Sequence, residues 1–517
     1  MNAAGARRWW ALAAVSLGVL AVGLDGTVLT VALPTLARAL HASESDLQWF
    51  TSGYFLVLAA AMLPAGLLGD RFGHRKVLTI AIALFGLGSI ACACATSVGE
   101  FLAARVLLGL AGAGVVVMAI SALTVLFSKE ERPRAVGIWA AANFLSLPIG
   151  PILGGWMLSH FWWGWVFLIN APVAGIGVVA LVTLVPESRA AERPGFDIAG
   201  VLLSAAGLVA LTYGLIQAGE KGWSDATALV AMLAGVVLLT AFGAWERRLN
   251  RRPGGQPLLD LSLFRSASFT WGVILAAFAV LAMIGVLFTM PQYFQGVLGT
   301  DAMGSGVRLL PVILGLVLGA IPAERIVRIA GAKLVAGAGF LLLAIALAVG
   351  SRTGVSSSDA FIAVWMGVAG MGLGLALSTS TSAALVELSA KRSGVGSAVL
   401  QAVNKIGGPF GTAILGSALS SVYLSRLMVT GLPTAAVTAA KPSVFAGVAV
   451  ASQVGSVSLL RVVRAAFTDG MDTALLLSAG IAALGLVLTL IFLPRTNGLQ
   501  DNPHVQSVED RELAGIN

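Results

Sequence analysis

Residues 69–76 read GDRFGHRK, between the apolar runs YFLVLAAAMLPAGLL (54–68) and VLTIAIALFGLGSIACACA (77–95). A run of about 20 apolar residues crosses a bilayer as one helix. The eight residues therefore read as a short turn joining two membrane helices. Asp70, Arg71, His74, Arg75 and Lys76 are ionisable, which places the turn in water at one membrane face. Gly69 and Gly73 permit a tight reversal, and Asp70 is placed to cap the next helix or to pair with Arg71 or Arg75.

The rest of the 517 residues reads the same way. Apolar residues make up 58% and charged residues 11%, with mean hydropathy +0.92. A water-facing surface cannot be built from that mixture, so lipid is the solvent and the fold class is all-α integral membrane. The pI near 9.9 invites a nucleic-acid reading, but the basic residues are scattered through short loops with no recognition motif, and no nucleic-acid partner is expected. Cys92 and Cys94 lie two residues apart in one apolar run and point different ways, against a disulfide or a metal site. The four His residues sit at loops or helix ends, and no phosphate-binding loop follows a strand. Neither metal nor cofactor is expected. The opening MNAAGARRWWALAAVSLGVLAVG (1–23) imitates a signal peptide, yet no small-residue cleavage site follows; it reads as an uncleaved first span.

Fourteen spans are predicted: 9–33, 49–69, 77–95, 101–126, 136–158, 165–185, 198–217, 226–245, 269–291, 303–322, 334–350, 360–384, 396–420 and 473–494. With the N-terminus in the cytoplasm, 22 of the 32 Lys and Arg fall on the cytoplasmic side and seven outside. That asymmetry sets the orientation, with both termini cytoplasmic. A shift of 258 residues lays Pro64 on Pro322, Gly73 on Gly331, GLAGAG (109–114) on GVAGMG (367–372), and Gly150–Pro151 on Gly408–Pro409. The shared offset predicts a duplicated six-helix unit. The expected division is an N-terminal bundle over 1–190, two inserted helices over 191–255, a C-terminal bundle over 256–495 with a long external loop near 421–472 that has room for an interfacial helix, and a cytoplasmic tail over 496–517.

The chain resembles the major facilitator superfamily, and within it the fourteen-helix drug:proton antiporters. GLLGDRFGHRK (66–76) is similar to the signature loop between helices 2 and 3, and RVLLGLAGAG (105–114) to the Arg-containing motif of helix 4. PIGPILGG (148–155) is similar to the antiporter motif of helix 5, and LDGTVLTVALP (24–34) to the helix 1 motif of the group. The resemblance implies two pseudo-symmetric six-helix bundles plus two inserted helices in the cytoplasmic membrane. It also implies proton-coupled export of a drug or antibiotic, by a chain working as a monomer. Under it, Gly69, Asp70, Arg71, Gly73 and Arg75 latch the halves on the cytoplasmic face. The alternative for that turn is a loop that only fixes topology. Pro151 kinks helix 5, while Gly150, Gly154 and Gly155 allow a tight contact that blocks ion leak; ordinary small-residue packing is the alternative.

Ionisable residues inside spans are costly and mark function. Asp25 in helix 1 and Arg105 in helix 4 count to a similar depth. Asp25 reads as the proton-coupling carboxylate: burial favours the neutral acid and a guanidinium the carboxylate, so helix movement would switch it between loading and release. A permanent structural pair is the other reading. Lys405, near mid-depth in helix 13, is expected to face a central cavity or a carboxylate, or to serve helix packing. A cationic cavity would favour neutral or anionic compounds. Trp49, Tyr54, Asn143, Phe288, Tyr293, Gln401 and Asn404 are the further candidates for substrate contact, by analogy with the family. The shift of 258 carries Asn143 onto Gln401. The expected function is proton-driven export of amphipathic drugs, the alternative a dedicated pump for one endogenous metabolite. An integral-membrane enzyme would need a catalytic cluster, and none is visible in the sequence.

Overall fold

The computed structural model describes residues 3–127, 131–187, 197–252, 261–386, 390–427 and 438–494; some side chains within these, including those of Asp70 and Asn143, lie outside the described set. The first six spans are α1 (Ala3–Ala39), α2 (Glu44–Phe72), α3 (His74–Cys94), α4 (Val98–Leu126), α5 (Arg132–His160) and α6 (Trp165–Leu184). Then come α7 (Ile198–Lys221) and α8 (Ala226–Arg251). The second set is α9 (Ala267–Gln292), α10 (Ala302–Ala330), α11 (Ala332–Gly350), α12 (Asp359–Val386) and α13 (Ala390–Arg426). A short α14 (Val444–Val454) precedes the last span, α15 (Val457–Phe492).

Among the described residues, eleven helices are long and apolar enough to cross a membrane. The remaining three of the expected fourteen spans are α2, α5 and α13. All three are helical over the expected spans as well.

Helices outrun their apolar runs because polar residues cap them. Ser43 and Asp46 form a reciprocal capping box at the start of α2. Ser97, Asp225, Ser266, Asp301 and Ser456 each accept from a backbone N–H three residues on. Between 421 and 472, where a long external loop is expected, the described residues are mostly helical. The span expected at 473–494 begins at Val457, and α13 continues to Arg426. Arg461, Arg464, Asp469 and Asp472 interrupt the apolar run but not the helix, and Arg426 Nε pairs with Asp469 Oδ2 at 3.3 Å. The junctions expected near 190 and 255 and the tail fall outside the described residues.

Two bundles related by a pseudo-twofold make up the core. In the first, α1 packs on α5 and α6, α2 on α4, and α3 on α4. In the second, α9 packs on α13 and α15, α10 on α12, and α11 on α12. Each of these contacts in one half has its counterpart in the other. The repeat offset is visible in atomic detail. Gly112 of α4 lies against Tyr54 and Leu58, and Gly370 of α12 lies against Val312 and Leu316, each 258 residues further on. Gly73 (φ 107°) and Gly331 (φ 83°) make the same turn after α2 and after α10, in a backbone region that side chains resist.

The halves meet along two seams, α2 on α13 and α5 on α10, which the twofold exchanges. α7 lies outside the first seam and packs on both α2 and α13.

Lipid gives helices no hydrophobic reason to associate, so close backbone approach at small residues must hold the bundles. A methyl added at Gly370 would collide with the Val312 carbonyl, whereas one at Gly175 meets nothing within 4 Å. Gly370→Ala is therefore expected to cost about 1–3 kcal/mol and to lower the thermal aggregation midpoint of the detergent-solubilised protein. Gly175→Ala should leave it unchanged.

Candidate functional site

Arg105 is the anchor of the site. Its Nη1 donates to Asp25 Oδ2 at 2.6 Å, and both side chains have 0% exposure. Its Nε donates to the Phe50 carbonyl at 3.2 Å. The guanidinium lies over the Tyr54 ring, 4.2 Å from the centroid, and the Tyr54 hydroxyl donates to the Val22 carbonyl at 3.4 Å. One side chain thus ties α4 to both α1 and α2. The local sequence makes this reachable. Gly109, one turn after Arg105, would place a Cβ 2.7 Å from the Tyr54 carbonyl, so only glycine lets α4 come this close to α2.

The pair is incompletely satisfied: Asp25 Oδ1 and Arg105 Nη2 are buried with no hydrogen-bond partner. Asp25 also borders a cavity of about 60 Å³ inside the first bundle, with Leu24, Val28, Met157, Ile169 and Asn170 among its walls. A space of that size admits one or two waters. Asn170 Nδ2 donates to Ser89 Oγ at 3.3 Å and holds α6 to α3 beside it.

A second group gathers at the α2–α13 seam. Gln401, Asn404 and Lys405 stand at i, i+3 and i+4 on α13 and are half-buried. Lys405 Nζ lies 5.6 Å from the centre of the Phe55 ring on α2, a cation–π contact between the halves. Asn404 Oδ1 is buried without a partner. Phe55 was not among the sequence candidates, yet it also meets Gly26 and Gly408, whose added Cβ atoms would lie 3.2 and 3.7 Å from its ring. A lone Phe in an apolar run carries no pattern to flag it.

The remaining candidates lie apart from these two groups. Trp49 faces Tyr213 of α7, with ring centroids 6.4 Å apart. Phe288 is buried in α9 and accepts from Gln292 Nε2 through its carbonyl. The Tyr293 hydroxyl donates to the Gly354 carbonyl at 2.8 Å, within the second bundle. The side chain of Asn143 lies outside the described residues.

In the 69–76 turn, Arg75 reaches the end of α6: Nη1 donates to the Val185 carbonyl, and Nε stands 3.7 Å from Glu187 Oε2. Arg71 lies against Phe72, with its Cζ 5.7 Å from the ring centre. These contacts of Arg71 and Arg75 stay within the first bundle, and the Asp70 side chain lies outside the described residues. A Cβ on Gly69 would strike Met118 of α4.

The inter-half contacts among the described residues concentrate at the end of the bundle away from the 69–76 turn. Ser52 Oγ donates to the Pro409 carbonyl at 3.4 Å, and Ser159 Oγ to Asp301 Oδ2 at 3.3 Å. Gln292 Nε2 donates to Glu44 Oε1 at 3.2 Å, and Gln295 Nε2 to the Val31 carbonyl at 3.1 Å. Gly155 packs on the backbone of Ala302 and Met303, while Gly150 and Gly154 pack on Thr27 and Val28. The glycines of 150–155 therefore serve two contacts, α5 to α1 and α5 to α10. Sequence reading missed Glu44 and Gln292, which have no motif and meet only through the fold.

These features define a two-bundle membrane transporter. The family model of the Major Facilitator Superfamily matches residues 15–412, and the chain belongs to that family. It is 32% identical over 504 residues to the tetracenomycin C resistance and export protein of Streptomyces glaucescens, covering 94% of this chain and 91% of that one. It is also 32% identical over 499 residues to the multidrug efflux pump LfrA of Mycolicibacterium smegmatis, covering 94% and 96%. Among solved structures, a bacterial homologue of the human lysosomal transporter Spinster superposes with a TM-score of 0.69 at 16% identity, covering 94% of this chain and 97% of that one.

A side chain at Gly155 must push α5 from α10, since its Cβ would lie 2.7 Å from the Ala302 carbonyl. In proteoliposomes with a trapped pH dye, Gly155→Leu is expected to dissipate an imposed pH gradient faster than wild type. An unchanged rate would show that the seam is not a seal.

Proposed function

We propose that this chain is a proton-coupled antiporter that exports amphipathic drugs or antibiotics by rocking two halves, 1–190 and 256–495, about the seams between them. It works as a monomer in the cytoplasmic membrane, with the 69–76 turn and both termini in the cytosol. The observation that carries this reading is the Asp25–Arg105 pair, fully buried, held to α2 and bordering a small cavity. The relatives named for resistance and export support the substrate class.

The coupling runs through α2. A proton on Asp25 removes the charge that holds Arg105, and the guanidinium loosens from both its partners. One of these is the Phe50 carbonyl; two residues further on, Ser52 meets Pro409 across the seam. Phe55, on the same helix, carries the contact with Lys405. Protonation thereby reaches the inter-half contacts within about one and a half turns of one helix. Net transport requires that the proton and the drug favour different arrangements of those contacts.

Removing one partner of a buried pair typically costs about 3–5 kcal/mol, so truncating Arg105 would confound folding with function. Asp25→Asn keeps the shape and a hydrogen-bond acceptor. In inverted vesicles it should insert normally yet lose uptake driven by an imposed proton gradient, at least about tenfold. Drug-driven proton release should disappear with it. Retained coupling at normal expression would remove Asp25 from this role.

Lys405 supports a second reading, export of one neutral or anionic metabolite. A cation in the seam repels quaternary ammonium compounds and attracts carboxylates or phenolates. Lys405→Gln is expected to shift resistance toward cationic dyes and away from acidic antibiotics in a pump-deficient host. Equal changes for both classes would make Lys405 a packing residue.

A further inference from the structure

The proton-coupled reading makes no use of the carboxyl end of α8. This helix packs on α7 and, at its end, on the 3-10 turn Leu261–Arg265. Along its length Val230, Leu233 and Val237 are 66, 65 and 57% exposed, so the acyl chains of the bilayer are its other neighbour. Towards its end, large side chains give way to Thr240, Gly243 and Ala244. A Cβ on Gly243 would meet nothing within 4 Å. These three residues and Arg247, Arg248, Arg251 and Arg252 line a shallow recess along one side of the helix, open to its surroundings.

We propose that this recess binds an anionic phospholipid, its phosphodiester on the four arginines and one acyl chain along Thr240, Gly243 and Ala244. Arg247 and Arg251, like Arg248 and Arg252, are four residues apart and stack on one side of the helix. All four are exposed, and none forms an ion pair with a described residue. Glu246, the one acid in this stretch, is buried on another face. The Trp245 indole N–H donates to both carboxylate oxygens of Asp197, the cap of α7, at 3.0 Å, which fixes the rotation of α8 and turns the arginines outward.

Topology alone would require basic residues of either kind at this face, and a helix end needs one or two cations to offset its carbonyls. Four guanidiniums on consecutive turns exceed both requirements. Guanidinium presents paired N–H donors that match two phosphate oxygens, and basic recesses beside lipid-facing helices attract anionic headgroups. The adjoining apolar face selects a lipid over a soluble phosphate. The inference rests on the membrane-spanning fold and stands whether or not Asp25 couples protons.

The test uses the full chain in detergent, mixed with equal amounts of phosphatidylglycerol and phosphatidylethanolamine, with lipid retention read by native mass spectrometry. Wild type should retain phosphatidylglycerol over phosphatidylethanolamine at least about tenfold, and excess inorganic phosphate should not displace it. Replacing all four residues (Arg247→Gln, Arg248→Gln, Arg251→Gln, Arg252→Gln) should abolish the preference, whereas Arg325→Gln with Arg328→Gln should not. Should the first set fail to insert, the four Arg→Lys replacements keep the charge and are expected to weaken the preference at least about threefold. Equal retention of the two lipids by wild type, or a preference that survives the substitutions at 247–252, overturns the proposal. Full displacement by inorganic phosphate does so too, because the site would then take a free anion.

Discussion

A guanidinium without access to water holds three helices of the first bundle in place. Arg105 cannot lose its charge, so every arrangement of α1, α2 and α4 must supply it with acceptors or admit water. In this arrangement the acceptors are Asp25 and the Phe50 carbonyl, and the Tyr54 ring covers one face. The glycine one turn further along α4 exists because this reach demands it. No comparable group sits at the equivalent place in the second bundle, where Ala363 occupies the position 258 residues after Arg105. The halves are alike in backbone and unlike in charge.

That difference separates what was legible in the sequence from what was not. Apolar runs and their punctuation reveal the helices, because a membrane helix must satisfy its own backbone and advertise its length in hydropathy. The duplication showed through glycines and prolines, whose roles depend on backbone geometry that the two halves share. Asp25 and Arg105 stood out because charge is rare in a span, and their equal depth could be counted.

Contacts made by ordinary residues could not be read. Phe55 earns its place from three neighbours on α1 and α13, far away in sequence. Glu44 sits in a capped first turn that resembles any solvated helix start, yet the second bundle covers it. Trp49 meets Tyr213 of α7, a neighbour that a large aromatic near a helix end does not announce. The helix starting at Val457 was hidden for a related reason, because charges end an apolar run without ending a helix.

The inserted α7 touches both halves, but by unlike means. On α13, Ser417 Oγ donates to the Leu215 carbonyl at 2.7 Å, and Gly219 clasps the Ser417 backbone. On α2, the tie is two tilted rings, Trp49 and Tyr213. A hydrogen bond at a glycine notch resists displacement, whereas aromatic faces glide over one another at little cost. In the rocking motion we propose, the insert therefore rides as cargo of the carboxyl-terminal body, and its junction with the amino-terminal one works as a sliding bearing.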